Sequence, residues 1–310
     1  MILLFIYQFI NLLKLIKYYL FYLNYKMNHS ISIENKDGIE FLKTLDDKSV
    51  DLILTDPPYI ISKDTGMDKF EKTVSEIESS GKNMKTLEEW EKFKQKKGYS
   101  DDKYKNNYIK YGNTSGKKYG FKTQFGEWDN TFTIEKLQEF IQLFYKKLKN
   151  GGTCIIFFDL WKIETLKKLM EQIKKTKKGN WSGFKQIRFI EWIKTNPVPV
   201  NQSVNYLSNT REVALLGVKK GNPTFNSKFD KGIYQFPIAT SKKGIERHPT
   251  QKNLQLFETL ILKHSNIGDL VIDPFLGSGT TALACKNTDR NFKGCEIDKK
   301  YYNISLKNLE

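Results

Sequence analysis

Short apolar runs alternate with longer amphipathic stretches over most of the chain from residue 31 onward. Runs such as VDLILT (50–55) and TCIIFF (153–158) are nearly continuous in Val, Ile, Leu and Phe, as expected for strands buried on both faces of a sheet. This alternation predicts an α/β fold with a mostly parallel, doubly wound sheet and crossover helices. The predicted strands are 31–36, 50–55, 152–158, 186–194, 213–218, 269–273 and 292–296, and the predicted helices are 38–45, 134–149, 163–175, 254–265, 280–287 and 300–309. Asn150-Gly151-Gly152 predicts a helix end before a strand.

Two polar stretches interrupt this alternation. Residues 60–124 contain 15 Lys against 10 Asp and Glu, and residues 219–247 are rich in Gly and Lys. The interspersed aromatics are Tyr99, Tyr104, Tyr108, Tyr111 and Tyr119 in the first stretch and Phe225, Phe229, Tyr234 and Phe236 in the second. Such a mixture is typical of contact with phosphates and unstacked bases. The alternative is a pair of solvated loops whose aromatics pack on the core.

The first 26 residues are apolar and aromatic, unlike the rest of the chain. Gln8, Asn11, Lys14 and Lys17 interrupt them before they reach the roughly 20 apolar residues of a membrane span. No small-residue cleavage site follows, so the pattern does not predict a secretory signal. We expect a dispensable extension, with Met27 as the natural start and no membrane contact, and a membrane-surface helix is the alternative.

Composition narrows the class of partner. The 310 residues include 51 Lys and Arg against 35 Asp and Glu, which gives a net charge of +16, and 39% are hydrophobic. The apolar share excludes a disordered tail, and the positive charge favours a polyanionic partner such as nucleic acid. Cys154, Cys285 and Cys295 are too few and too scattered for a disulfide framework or a zinc site. They predict buried packing in a reducing, cytoplasmic protein.

The first chemical signal is Asp56-Pro57-Pro58-Tyr59, directly after the predicted strand 50–55. Ligands of open α/β sheets bind outside the carboxyl ends of the strands. Two prolines stiffen the turn and remove two backbone donors, so that its carbonyls can accept hydrogen bonds. Asp56 and the Pro57 carbonyl could accept both hydrogens of an exocyclic amine while Tyr59 stacks on its ring. An ordinary Asp-Pro turn is the alternative.

The second signal is DPFLGSGTTA (273–282), between a predicted strand and a predicted helix. Gly277 and Gly279 allow a tight turn close to a ligand, and Ala282 completes a G-x-G-x-x-A spacing. The strand 292–296 ends in Glu296, whose carboxylate can accept hydrogen bonds from ribose hydroxyls. This loop suits a dinucleotide or another adenosine-bearing cofactor.

Together the two motifs resemble those of the DNA amino-methyltransferases that use S-adenosylmethionine. D-P-P-Y is the catalytic motif of that family, and D-P-F-x-G-S-G-T-T is its donor-binding motif. Further matches are F-G-E-W-D (125–129), W-I-K-T-N-P (192–197) and H-P-T-Q-K (248–252). The motif order is similar to that of the permuted β group. One departure is Asn253, where the family usually has Pro, which affects the start of a helix more than any contact.

The resemblance implies a Rossmann-like, circularly permuted methyltransferase sheet in one catalytic domain, 27–310. The insertion 60–124 would contact DNA, and 219–247 would be a short target-recognition region. Asp56, Pro57, Pro58 and Tyr59 would hold the flipped base. The implied cofactor-binding residues are Asp37, Thr250, Lys252, Asp273, Phe275, Gly277, Gly279 and Glu296, with Glu296 on the ribose, Thr250 and Lys252 near the methionine carboxylate, and Asp37 facing the adenine amine. The alternatives are a helix N-cap for Asp37, a solvated lysine for Lys252 and a strand-end carboxylate for Glu296.

The implied reaction is methyl transfer from S-adenosylmethionine to adenine N6 in double-stranded DNA, with no metal and no nucleophilic cysteine. Cytosine N4 is the nearest alternative, and Asp56 favours adenine by the family's pattern. More distant alternatives are an NAD-dependent oxidoreductase and a catalytically silent DNA-binding module. The expected partner is duplex DNA, in the cytoplasm or on the nucleoid, and the sequence leaves open whether a cognate restriction endonuclease accompanies the protein.

Overall fold

The computed structural model describes residues 29–59, 84–114, 132–175, 181–197, 210–239 and 251–310. The predicted extension 1–26, the F-G-E-W-D segment, Tyr119 and Thr250 lie outside these residues. The chain divides into two compact units, Met1–Tyr59 with Phe132–Glu310 and Ile60–Thr131. The predicted insertion 60–124 falls within the second unit, and its contact with DNA stays a prediction.

One large sheet dominates the described part of the first unit. The strands are β1 (Ile31–Asn35), β2 (Val50–Thr55), β3 (Leu148–Phe158), β4 (Lys174–Lys175), β5 (Trp181–Ser182), β6 (Lys185–Lys194), β7 (Arg211–Val218), β8 (Ile233–Phe236), β9 (Leu270–Asp273) and β10 (Asn291–Glu296). Eight of them pair in the order β1-β10-β9-β2-β3-β7-β6-β8, and β4 pairs with β5. Strands β1, β10, β9, β2 and β3 are parallel to one another. Strand β7 is antiparallel to both β3 and β6.

Eight helices accompany these strands in the described residues. They are α1 (Gly38–Thr44), α2 (Leu87–Lys97), α3 (Lys105–Tyr111), α4 (Ile134–Lys147), α5 (Ile163–Glu171), α6 (Leu254–His264), α7 (Thr280–Asn287) and α8 (Lys299–Leu309), with a 3₁₀ turn at Leu160–Lys162. In the first unit, helix α4 contacts both α1 and α5, and helix α7 contacts both α6 and α8. The predicted α/β fold with one large sheet is confirmed. Within the described part of the chain, no helix has the length and apolar character needed to cross a membrane.

The glycines before the third strand differ from their prediction. Helix α4 already ends at Lys147, and Gly151 and Gly152 lie inside β3. The pairing of β2 with β3 shifts register there, and Gly151 has φ +85°. A Cβ on Gly151 would come within 2.5 Å of the Asn222 carbonyl oxygen. The glycine therefore serves a bulge and a close backbone approach rather than a helix end.

The second unit has a small core of its own, which the sequence patterns did not predict. A capping box at Thr86 starts α2, and Gly98 ends it with φ +68°. Trp90 is fully buried, and its Nε1 donates to Asp102 at 3.1 Å. Tyr99, Tyr104 and Tyr108 lie in the same aromatic cluster. These three tyrosines therefore pack within their own unit, and the predicted contact of this stretch with bases stays a prediction.

Four carboxylates stand at the carboxyl ends of four adjacent strands. Asp37 follows β1, Glu296 ends β10, Asp273 ends β9 and Asp56 follows β2. Because these strands are parallel neighbours in the order β1-β10-β9-β2, all four carboxylates lie along the same edge of the sheet. This edge is where an open α/β sheet binds its ligands.

Candidate active site

The D-P-P-Y motif leaves a strand that is rigidly held on both sides. Leu54 and Thr55 at the end of β2 are fully buried between β3 and β9. Pro57 is buried, whereas Asp56 and Tyr59 remain partly accessible. The Tyr59 ring meets Phe158 edge-on, with the ring centroids 6.1 Å apart. The motif is thus a stiff turn that presents a carboxylate and an aromatic ring at the strand end.

A buried lysine is the nearest charged partner of Asp56. Lys252 Nζ lies 2.7 Å from Asp56 Oδ2 and 2.6 Å from Glu212 Oε2. It also donates to the Tyr59 hydroxyl at 3.4 Å and lies 5.5 Å from the centroid of the Phe157 ring. Lys252 is 6% exposed, so the alternative of a solvated lysine does not hold. Its predicted contact with the cofactor stays a prediction.

The ion pairs continue outward from Glu212 to a second lysine. Lys194 Nζ lies 2.8 Å from Glu212 Oε1, so that Asp56, Lys252, Glu212 and Lys194 form a chain of alternating charge. Strand β7 begins, and β6 ends, at the carboxyl edge of β3, because β7 is antiparallel to both. Glu212 and Lys194 therefore reach the site from strands that do not carry either motif.

Burial and charge set the protonation of this chain. Burial raises the pKa of Asp56, against the opposing effect of Lys252. Asp56 and Glu212 hold the pKa of Lys252 well above its usual value despite burial. Lys252 and Lys194 together keep the pKa of Glu212 below its usual value. Lys252 is therefore protonated, while Asp56 is a more basic carboxylate than an exposed aspartate.

One oxygen of Asp56 has no hydrogen-bond partner within 3.5 Å among the described residues. Oδ2 accepts from Lys252, but Oδ1 is buried and finds no donor among the residues that the structure describes. Buried polar atoms are nearly always paired, so an exception needs an explanation. A ligand donor is the simplest one at this edge of the sheet.

The donor motif is organised around Asp273. Its Oδ1 accepts from the Thr55 hydroxyl at 2.6 Å and from the Phe275 amide at 3.0 Å, and its Oδ2 accepts from the Thr281 hydroxyl at 2.6 Å. Burial raises the pKa of Asp273 to about 6. These bonds tie the glycine-rich loop to the end of β2 and to helix α7. Asp273 thus shapes the loop, and its direct contact with a cofactor stays a prediction.

Glu296 lies on the other side of the same loop. Its two carboxylate oxygens accept from the Gly277 and Asp298 amides, each at 2.8 Å. Burial raises the pKa of Glu296 to about 7. Gly277 and Gly279 have φ values of +56° and +89°, which a residue with a side chain rarely adopts. The loop therefore turns tightly next to the buried carboxylate of Glu296.

The remaining predicted cofactor residues flank this loop. Asp37 caps α1, because its Oδ1 accepts from the Ile39 and Glu40 amides, and this matches the N-cap alternative. Its Oδ2 takes no part in the cap and remains at the carboxyl edge of the sheet. The Phe275 ring packs on Phe140 with centroids 4.5 Å apart.

Glu212 is the member of the site that the sequence patterns missed, whereas Lys194 lies in the matched W-I-K-T-N-P segment and had no role assigned to it. The one weak sequence signal for Glu212 is its position at the start of the apolar strand β7, because a carboxylate that is buried there needs a partner. The three cysteines are free and buried, and burial raises the pKa of each. This agrees with their predicted role in packing.

The fold and the site together are those of an open α/β sheet with a glycine-rich loop after β9 and a partly accessible carboxylate after the neighbouring β2. A family model described as DNA methylase, of the N6/N4 methyltransferase type, matches residues 50–307, and the chain belongs to this family. The predicted S-adenosylmethionine-dependent DNA amino-methyltransferase is confirmed at this level, and the match gives no support to an oxidoreductase.

Two curated relatives are similar to much of the chain. The Type II methyltransferase M2.DpnII of Streptococcus pneumoniae is 28% identical over 303 residues, covering 92% of this chain and 91% of its own length. The Type II methyltransferase M2.LlaDCHI of Lactococcus lactis subsp. cremoris is 32% identical over 201 residues, covering 59% of this chain and 71% of its own length.

Two solved structures share the fold. The M1.HpyAVI-SAM complex superposes with a TM-score of 0.55 at 26% identity, covering 90% of this chain and 98% of its own. The cytosine-N4-specific PvuII DNA methyltransferase superposes with a TM-score of 0.58, covering 90% of this chain and 86% of its own. At 16% identity, the second similarity concerns the fold alone.

Proposed function

We propose that this protein transfers a methyl group from S-adenosylmethionine to the exocyclic N6 amine of an adenine flipped out of duplex DNA, at a specific sequence. Family membership supports the amino-methyltransferase chemistry, and S-adenosylmethionine is the cofactor. The choice of adenine rests on Asp56, because an aspartate at this motif position is typical of the adenine enzymes of the family.

The observation that carries the proposal is the unpaired Oδ1 of Asp56. An exocyclic amine is a poor nucleophile because its lone pair is delocalised into the ring. Oδ1 of Asp56 and the Pro57 carbonyl can accept its two hydrogens, which frees the lone pair for attack. Tyr59 can stack on the ring and offset part of the few kcal/mol that base flipping costs.

Bound S-adenosylmethionine supplies a methyl group on a positively charged sulfur. The nitrogen lone pair forms the new N–C bond while the sulfur keeps the electrons of the broken S–C bond, and the amine then loses one proton. Asp56 is placed to take this proton, because burial raises its pKa. None of these steps requires a covalent enzyme intermediate.

The described residues fit the cofactor. Glu296 is a buried carboxylate beside a loop that turns at two positive-φ glycines, and it accepts a hydrogen bond from the Gly277 amide of this loop. Lys252 donates to Asp56, to Glu212 and, over 3.4 Å, to the Tyr59 hydroxyl, so the methionine carboxylate would replace Tyr59 as its third acceptor. Thr250, Asp37 and Phe275 keep their predicted roles in this proposal.

Nucleoside analysis tests the choice of base. DNA methylated by the protein is digested to nucleosides and weighed, and N6-methyladenine is the expected product. N4-methylcytosine alone would contradict the adenine assignment. Asp56→Ala should lose activity but retain S-adenosylhomocysteine binding, whereas Asp46→Ala, at an exposed position outside the site, should retain both.

The structure narrows which loop residues can approach the base. Backbone bonds from Gly151 to Lys219 and Lys220, at the start of β3, place this part of the 219–247 region at the opposite edge of the sheet. Strand β8 runs back towards the active edge, since it is parallel to β6. We therefore assign target recognition to the part of this region after Phe236, together with the insertion 60–124.

Trp90 offers a test of the insertion. Because Trp90 is fully buried in the aromatic cluster, Trp90→Ala should cost the second unit about 3–5 kcal/mol of stability. Site-specific methylation should fall while S-adenosylhomocysteine binding persists. Unchanged site preference in a variant whose α2 amides exchange rapidly with solvent would refute the assignment.

The relatives are Type II methyltransferases, so the proposal includes a cognate restriction endonuclease that cuts the same unmethylated site. A DNA substrate places the protein in the cytoplasm or on the nucleoid. Sequencing DNA from cells that express the protein would give the methylated site, and resistance of this DNA to an endonuclease of matching site is the expected result.

A further inference from the structure

The ion-pair chain continues beyond Asp56 through three residues that lie outside the D-P-P-Y motif. Lys252 bridges Asp56 and Glu212, and Glu212 in turn pairs with Lys194. The Lys252 and Lys194 side chains are 7% and 14% exposed. Holding several charges out of water is costly, so this arrangement is weak support for stability alone.

We propose that Glu212 and Lys194 are positioning residues for methyl transfer, with Glu212 holding Lys252 on Oδ2 of Asp56 so that Oδ1 remains available to the amine. Lys194 fixes Glu212 in turn. This inference rests on the proposed role of Asp56 and adds two residues from strands β7 and β6 to the reaction.

Geometry supports the first part of this role. With Glu212 at 2.6 Å, the ammonium of Lys252 is held between two carboxylates and contacts one oxygen of each. Without Glu212, Asp56 would be the one anionic partner of Lys252 among the residues that the structure describes. The ammonium could then approach both oxygens of Asp56 and occupy the acceptor that the amine needs.

The charge of Glu212 also supports its role. An aspartate that fully neutralises one ammonium is a weak hydrogen-bond acceptor, and Glu212 shares that ammonium. The negative charge of Glu212 raises the pKa of Asp56, whereas Lys252 lowers it. Glu212 therefore keeps Asp56 a strong acceptor for the N–H group and for the proton released after transfer.

Substitutions at the two residues should shift the pH profile in opposite directions. Glu212→Gln removes a negative charge near Asp56, so the acid limb of kcat should move to lower pH. Lys194→Gln leaves the charge of Glu212 less compensated, so the acid limb should move to higher pH. Neither shift is expected from a merely structural contact.

The experiment measures kcat against pH for the full-length protein and both variants. In Glu212→Gln, the plateau kcat should fall about 10- to 100-fold, the loss expected when one charged hydrogen bond is weakened. The dissociation constant of S-adenosylhomocysteine should stay within about twofold, which separates a loss of catalysis from a loss of cofactor binding. Glu164→Gln, an exposed Glu to Gln change, serves as the matched control and should leave both quantities unchanged.

Each outcome decides the inference. An unchanged kcat in Glu212→Gln, or a reduced kcat with the parental acid limb in both variants, would overturn it. If Glu212→Gln does not fold, the test rests on Lys194→Gln, in which the acid limb of kcat should move to higher pH. Activity in Asp56→Ala would instead defeat the proposed function, whereas an inactive Asp56→Ala with a normal Glu212→Gln defeats only this inference.

Discussion

The carboxylates of this protein differ in role because they differ in their hydrogen-bond partners. Asp273 gives both oxygens to hydroxyls and an amide that shape the donor loop, whereas Asp56 keeps one oxygen unpaired. Glu296 accepts hydrogen bonds from two backbone amides, and burial raises its pKa to about 7. Its protonation state should therefore be visible in cofactor binding.

Cofactor affinity should rise with pH through the titration of Glu296. A ribose hydroxyl can donate a hydrogen bond to the ionised carboxylate of Glu296. In the free protein this carboxyl group is protonated below a pH of about 7, so the cofactor binds best once the proton has been lost. The ionised fraction rises about fourfold between pH 6.5 and 8.5, and the affinity for S-adenosylhomocysteine should rise equally. Calorimetry at several pH values measures this, and Glu296→Gln should bind more weakly without this rise. An equal rise in the variant would assign the titration elsewhere.

The positive-φ glycines provide a second test at the residue scale. Gly279 has φ +89°, and a Cβ there would lie 2.9 Å from the Cβ of buried Ser305. Gly221 has φ +70°, and the atom nearest to a Cβ built there would be the Gly151 nitrogen at 3.6 Å. Gly221→Ala should cost about 1–2 kcal/mol for the left-handed backbone alone, and Gly279→Ala about 2–4 kcal/mol, since overlap with Ser305 adds to it. Urea unfolding measures both, and equal losses would show that helix α8 moves away without cost.

At the scale of elements, apolar pattern predicted what the core buries. Strands β2 and β10 and helix α7 lie within a residue of their predicted bounds because most of their residues are buried. The short strand β8 was missed, since its sequence IYQF pairs on one side only and alternates in burial. Helices α2 and α3 were missed because their apolar side chains meet within a small separate core inside a lysine-rich stretch.

The candidate site shows the same division. Asp56, Asp273 and Glu296 could be predicted because each follows or ends a recognisable strand. Glu212 could not be assigned to the site, because its contact with Lys252 depends on the antiparallel pairing of β7 with β3, which no local pattern encodes. Contacts between distant segments are the part of the site that required the fold.

The 3₁₀ turn after β3 displays an aromatic side chain at the active edge. Asp159 Oδ1 accepts from the Trp161 amide at 2.9 Å, and the Trp161 side chain is 88% exposed only three residues beyond Phe158, the neighbour of Tyr59. Stacking on a base is worth about 1–3 kcal/mol, so Trp161→Ala should weaken DNA binding about 5- to 150-fold. S-adenosylhomocysteine binding should not change.

Phe229 provides the control for Trp161. It is 80% exposed, and the neighbouring Asp230 pairs with Lys263 in the last turn of α6, away from the D-P-P-Y motif. Fluorescence anisotropy with a labelled duplex should show parental affinity for Phe229→Ala. Equal losses in the two variants would remove Trp161 from the DNA contact.

For the whole molecule, the net charge of +16 matters through its distribution. Part of the surplus does not face solvent: Lys252 and Lys219 are buried, and Lys219 donates to the Leu148 carbonyl oxygen at 2.6 Å. Lys147 is likewise buried against Asp47. Binding to a polyanion must therefore use exposed lysines, and the insertion 60–124 contains many of them.

The salt dependence of DNA binding should locate these contacts. Lys96 and Lys97 are exposed in the last turn of α2, and Lys185 and Lys220 are exposed at the sheet edge opposite the D-P-P-Y motif. Each phosphate contact contributes about 0.9 to the slope of log affinity against log salt concentration. Replacing Lys96 and Lys97 with Gln should lower the slope by up to about 2, because two contacts are lost. The same change at Lys185 and Lys220 removes equal charge and should leave the slope unaltered. Equal effects would mean that the protein attracts DNA by its overall field and that the insertion makes no defined phosphate contact there.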